Sequence, residues 1–270
     1  MRGEICVGAG SFLALASLLL LIFVHVSQIN TSTVPRGISM IKVNVSGYGE
    51  ALHVALIDDI QGLYTNDSAA PLGVSAGLRQ FYQFGLYSHC GYVNASAGIC
   101  SNHSTASPFE PYTALTSDML SNYSQFSDPI VGDNSFKDGS LGKNTRAAYY
   151  MILLGTICAA LALLTGVVKY NLTFFLSTGF AVLGSVFLLV GASIWTAVLR
   201  KAQAINPVQV GLPADHVQIG ILVSMGHGLP LLWAAFASLL VSIVPYMIRS
   251  VLCPGCETFI DFVSCCTFRG

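Results

Sequence analysis

Charge is what this chain has least of. Of its 270 residues, 12 are Lys or Arg and 13 are Asp or Glu, 9% together, where an ordinary soluble protein carries about 25%. So little charge cannot cover the surface of a soluble enzyme. A net charge of −1 with no basic cluster also removes the electrostatic footprint that a nucleic-acid partner needs. No phosphate-binding glycine loop and no zinc-protease pattern is present, and no nucleophile, base and orienting group stand at a spacing that suggests convergence. Asp58 and Asp59 are adjacent and read as a solvated edge or a loop start rather than an acid/base pair. The expectation is a protein without enzymatic activity, cofactor or resident metal. There is no internal repeat.

What charge there is lies unevenly: 15 of the 25 charged residues fall between Gln28 and Arg146. Four stretches, Ile5–Ser27, Ala147–Val168, Leu172–Leu199 and Val217–Ile248, contain no Asp, Glu, Lys or Arg. Each reaches the roughly 20 apolar residues that a helix needs to cross the hydrocarbon core with its backbone polar groups satisfied internally. The sequence therefore predicts an integral membrane protein, a bundle of four transmembrane helices. In order, it has residues 1–4, a first span at 5–27, a long polar segment at 28–146, a second span at 147–168 and a turn at 169–171. A third span at 172–199, a loop at 200–216, a fourth span at 217–248 and a tail at 249–270 follow. The first apolar run is longer than a signal-peptide core and has no Ala-x-Ala-like site after it, so it reads as an uncleaved anchor.

Lys and Arg near the span ends do not decide the orientation. Two other signals do. Asn-x-Ser/Thr acceptors at Asn30, Asn44, Asn66, Asn94, Asn102 and Asn122 crowd into residues 28–146, and glycan addition requires a luminal, exposed site. Of eight cysteines, just Cys90 and Cys100 lie in that segment, the number for one bridge in an oxidising compartment. Residues 28–146 are accordingly expected outside and both termini in the cytoplasm, with Asn171, in the short turn, unglycosylated.

Within the outer segment, Ile41, Val43 and Val45 alternate with Lys42 and Asn44, the two-residue period of a half-buried strand. Phe81–Tyr87 is a second β-prone run, Val54–Ile60 fits a strand or a short helix, and 101–143 reads as irregular loop with a short helix near Tyr112–Leu120. Val208, Val210 and Leu212 alternate in the second loop, which fits an extension of the sheet, the preferred reading, or an exposed apolar contact.

Phe84-Gly85-Leu86-Tyr87-Ser-His-Cys90, followed by Cys100, resembles the signature of the claudin superfamily, in which Gly-Leu-aromatic precedes two disulfide-bonded cysteines of the first outer loop. With Asn30–Val45 just after the first span, the chain looks most like the fungal Sur-seven/PalI branch. The resemblance implies a claudin-like bundle with a small extracellular β-sheet stapled by Cys90 and Cys100. Gly85 would permit close approach, with Leu86 and Tyr87 packing beneath the sheet. Tyr87 stands where claudins carry Trp, and Trp195 and Trp233 both lie in spans, which argues against paracellular sealing. The family further implies plasma-membrane domains associated with eisosomes, and roles in membrane organisation, cell-wall integrity and endocytosis. PalI-type relatives serve pH signalling and carry long tails, whereas 22 residues follow Ile248 here, favouring the organiser branch.

Small residues recur at helical spacing: Gly155 and Ala159 in the second span, Ser177, Ala181 and Ser185 in the third, Gly220, Ser224 and Gly228 in the fourth. Such faces let helices approach closely in lipid, within one bundle or between copies. Pro230 is expected to kink the fourth helix. His25 and His227 are the titratable side chains of the spans and read as packing groups or proton sensors. Cys253 and Cys256 form a C-x-x-C pair, and with Cys265 and Cys266 beside the membrane they read first as S-acylation sites, then as a redox couple or metal ligands. Three functions follow: a non-enzymatic membrane organiser partnered by lipid, by its own copies or eisosome proteins and by the wall; an accessory subunit of a pH-sensing, channel or transporter complex; or a membrane thiol oxidoreductase.

Overall fold

In the computed structural model the described residues are 2–56, 60–95, 97–167, 171–211 and 216–252. The elements run α1 (Arg2–His25), α2 (Thr33–Gly37), β1 (Ile41–Asn44), α3 (Tyr48–Leu56), β2 (Phe81–Phe84), β3 (His89–Tyr92) and β4 (Gly98–Cys100). They continue with α4 (Pro111–Asp118), α5 (Ser121–Val131), α6 (Ser140–Val167), α7 (Asn171–Ala202), β5 (Gln209–Val210), β6 (Val217–Gln218), β7 (Leu222–Met225) and α8 (Gly228–Leu252). Four helical segments, Gly8–His25, Ser140–Val167, Phe175–Ile205 and Gly228–Pro245, are long and apolar enough to cross a membrane.

Two compact units are seen. One comprises the described residues up to Ile22, Tyr150–Ala192 and those from Leu231 onward. It is helical, and its buried residues include Gly155, Ala159, Ser177, Ala181 and Ser185, the small positions foreseen for close packing. Hydroxyl groups tie its helices: Ser17 Oγ donates to the Ala235 carbonyl at 2.8 Å and Ser177 Oγ to that of Ala162 at 2.7 Å. Phe12, Leu164, Phe175 and Val241 are exposed, an apolar outer face that suits acyl chains rather than water.

The second unit, Phe23–Tyr149 with Ser193–Pro230, holds a five-stranded sheet in the order β4-β3-β2-β1-β7, antiparallel throughout. Ile41, Val43 and Val45 are buried as their alternation requires. β1 is an interior strand, Val43 opposite Tyr82 of β2 and Val223 of β7.

The region 217–227 corrects the expected fourth span. It is not helix but β6, a turn and β7, so α8 begins only at Gly228. Gly220 sits in the turn at φ +71°, a left-handed conformation that glycine adopts without penalty, and Ser224 lies in β7. Gly220, Ser224 and Gly228 therefore form no helix-packing stripe. Pro230 falls in the first turn of α8, where a missing N–H costs no helical bond; the proline inside that helix is Pro245. The polar stretch 101–143 also holds more helix than foreseen. Leu115 of α4, Val131 of α5 and the nearby Phe136 are buried, and this apolar anchoring orders a Ser- and Asn-rich segment.

β7 is an edge strand, and Val223 is capped on its outer side. The Asn206 carboxamide donates Nδ2–H to the Val223 carbonyl at 3.0 Å and accepts the Val223 N–H at 2.7 Å, taking the place of a neighbouring strand. β5, which the second loop's alternation led us to expect in the main sheet, instead pairs with β6 in a separate two-stranded sheet. Asn206→Ala should strip both bonds. We expect a loss of about 1–2 kcal/mol from the orphaned edge groups and increased self-association, read by chemical denaturation and size-exclusion chromatography; an unchanged profile would contradict the capping role.

Candidate functional site

The family-like signature occupies β2, β3 and the turn between them. Cys90 and Cys100 face each other across β3 and β4 and are bonded, with S–S 1.99 Å. Closing such a short loop contributes about 3 kcal/mol by the chain-entropy estimate. Replacing both cysteines by Ser should lower the unfolding free energy of this unit by that amount, measured by thermal unfolding in detergent, while α-helical content stays constant; no change would mean the bridge bears no load.

Gly85 and Leu86 are buried. A Cβ on Gly85 would stand 2.4 Å from the Ser27 carbonyl oxygen, so the glycine admits the chain leaving α1 rather than a neighbouring strand. Tyr87 packs against the end of α1 and against α6. Its hydroxyl and His25 Nδ1 are hydrogen-bonded at 2.9 Å, and its ring packs edge-on to Tyr149 at 5.3 Å. Desolvation raises the Tyr87 pKa above the usual phenol value, with the Tyr149 hydrogen bond acting in the same direction.

Two buried polar centres underlie this surface, and sequence reading missed both. The first is Gln28, fully buried in the left-handed region at φ +53°. The two hydrogens of its Nε2 are shared among the carbonyls of Pro35, Arg36 and Ile38 and Gln83 Oε1, at 2.9–3.1 Å, and its Oε1 accepts from the Tyr92 hydroxyl at 3.1 Å. Ser88 Oγ donates to its main-chain carbonyl, and Cys90 Sγ lies 3.4 Å from the same oxygen. The turn after α1 is thereby tied to the stapled strands.

The second centre is an ion pair with no solvent access. Arg79 Nη1 donates to Asp118 Oδ2 at 2.9 Å, the side chains 0% and 1% exposed. Tyr82 donates to the same oxygen at 2.6 Å, the Gly73 N–H to Oδ1 at 2.5 Å, and Arg79 Nη2 to the Ala70 carbonyl. Burial raises the Tyr82 pKa, and the Asp118 charge adds to it, so the phenol stays a donor. Gly91 of β3 makes room: a Cβ there would lie 2.4 Å from Arg79 Cδ.

Beside these centres a cleft of about 530 Å³ opens between β3, β4 and α4. Phe84 and His89 stack in its wall, centroids 5.4 Å apart, and Asn102, Ser104, Glu110 and Thr113 also line it. Burial lowers the His89 pKa, opposed by the Asp118 charge.

Of the acceptor asparagines, Asn30, Asn66, Asn94, Asn102 and Asn122 are exposed, and Asn44, in β1, is half-buried. His25 ends α1, whereas His227 is not within a span: it sits exposed in the turn before α8, Nδ1 3.1 Å from the Gly37 carbonyl oxygen. Asp58, Asp59, Cys253, Cys256, Cys265 and Cys266 lie outside the described residues. No cluster of His, Cys, Asp and Glu suited to a metal occurs among the described residues.

A family model described as the SUR7/PalI family matches residues 6–244. No curated protein and no solved structure matches the chain.

Proposed function

Since the chain belongs to the SUR7/PalI family, we propose that it is a non-enzymatic organiser of plasma-membrane domains of the eisosome type, supporting wall integrity and endocytosis. The observation that carries this reading is the family match across nearly all of a chain that combines four membrane-crossing helices with a disulfide-stapled sheet. In this reading residues 28–146 and the β5–β7 region face outward, both termini face the cytoplasm, and the exposed acceptors Asn30, Asn66, Asn94, Asn102 and Asn122 carry glycans, with Asn44 the least accessible. The bundle surface meets lipid and copies or neighbours of the protein, the sheet faces the wall, and Cys253, Cys256, Cys265 and Cys266 are acylated to hold the tail to the bilayer.

Fluorescence microscopy of the tagged chain in its own cells tests the role. Static, detergent-resistant patches are expected. A uniform, rapidly diffusing signal would overturn the organiser reading, and its joint appearance with one partner purified in fixed ratio would favour an accessory subunit. Protease added to intact cells tests the orientation and should cleave within 28–146 while sparing both ends.

A further inference from the structure

The cleft beside the disulfide holds polar groups that the protein itself does not use. The Asn102 amide, the Ser104 and Thr113 hydroxyls, the Glu110 carboxylate and the His89 ring nitrogens line it, and none has a hydrogen-bond partner among the described residues. The loop carrying two of them is nonetheless fixed. The Ser104 N–H donates to the Tyr87 carbonyl at 2.9 Å, and His103 Nε2 lies 2.6 Å from the Ile29 carbonyl oxygen. The backbone that carries Asn102 and Ser104 is thus anchored, and both side chains are exposed at the cleft.

Their chemistry narrows the ligand. No Lys or Arg lines the cleft, so a phosphate or carboxylate would meet no counter-charge and would instead face Glu110. Hydroxyls, a carboxamide and an uncharged imidazole each donate and accept, while Phe84, Leu72 and Ile99 supply an apolar wall. A ligand that alternates hydroxyl groups with C–H faces suits such a lining. The volume, about 530 Å³, falls within the range of about 300–1,000 Å³ usual for small-ligand sites.

We propose that this cleft binds a short neutral oligosaccharide, with Glu110 and His89 bonding its hydroxyl groups and Phe84 flanking its C–H face. Asn102, which lines the cleft, is itself a glycan acceptor. The saccharide therefore has two sources of one chemistry: the core of the glycan on Asn102 folded back onto the protein, or a free oligosaccharide outside the cell. The proposal rests on the outward placement of residues 28–146.

The test uses the full chain, purified in detergent from a glycosylating host, with Glu110→Gln and Thr113→Ala as variants whose folding is checked by size exclusion. Native endoglycosidase digestion with site-resolved mass mapping reads the first source. The Asn102 glycan should be released about tenfold more slowly than those on Asn66 and Asn94, and Glu110→Gln should abolish the difference, as expected for losing one charge-assisted hydrogen bond. Calorimetric titration of the Asn102→Gln protein with triacetylchitotriose and with laminaritriose reads the second: binding of either, weakened about tenfold by Glu110→Gln or by Thr113→Ala, supports the cleft as a saccharide site. Equal release at all three asparagines together with no titration signal overturns the proposal. If glycans are absent from every acceptor of the segment, the outward orientation fails instead, and the titration alone decides whether the cleft binds sugar.

Discussion

Asp118→Ala should cost this protein about 3–5 kcal/mol, the effect of leaving a buried charge without its partner. The substitution strands the Arg79 guanidinium in a site with no solvent access, and it also removes the acceptor of the Tyr82 hydroxyl and the Gly73 N–H. The loss would unfold the sheet unit before the membrane helices. Pulse proteolysis with trypsin reads it directly, because Arg79 is fully buried in the native fold and becomes cleavable once that unit opens. Arg79→Met combined with Asp118→Leu should recover much of the stability, since a buried pair replaced by apolar side chains of similar size is often neutral. A single Asp118→Ala variant as resistant as the parent would show that the pair is not structurally important.

Gln28→Ala is expected to have the next largest effect, about 2–4 kcal/mol. It leaves at least the Tyr92 hydroxyl and the Ile38 carbonyl without their partner, at about 1–3 kcal/mol for each buried group. The left-handed backbone of residue 28 disfavours alanine as much as glutamine, so relief of strain does not offset the loss. Denaturant unfolding of the detergent-solubilised protein should show the shift, along with faster reduction of the Cys90–Cys100 bridge as its cover loosens. A midpoint equal to that of the parent would refute the hub.

The spans, strand β1 and the two paired cysteines were legible because each carries a periodic or compositional signal. Twenty uncharged apolar residues read as a span whatever surrounds them, and the alternation of Ile41, Val43 and Val45 appears directly in β1. Residues 217–227 read as helix for the same reason: an uncharged apolar strand and the start of an apolar helix have the same composition, and Gly220, in the turn, stands at helical spacing from Ser224 and Gly228. That misreading moved His227 and Pro230 into a span and lost the sheet its edge strand. Arg79–Asp118 and Gln28 lay beyond sequence reading because their partners are chosen by tertiary folding. A single Arg just before a β-prone run gives no hint that a carboxylate from α4 will meet it. The cleft was hidden likewise, being assembled from β3, β4 and α4 beside Asn102, which the sequence marks only by its Asn-x-Ser tripeptide.

The antiparallel match of Ile41 with Met225 sets the order of events during biogenesis. β1 leaves the ribosome soon after α1, yet one of its two hydrogen-bonding sides stays open until α6 and α7 have been made and β7 follows them. Long-range pairing of this kind is slow and exposed to wrong partners. A nascent chain halted after α7 should therefore be held by quality-control chaperones, and release should coincide with arrival of the segment carrying Leu222–Met225.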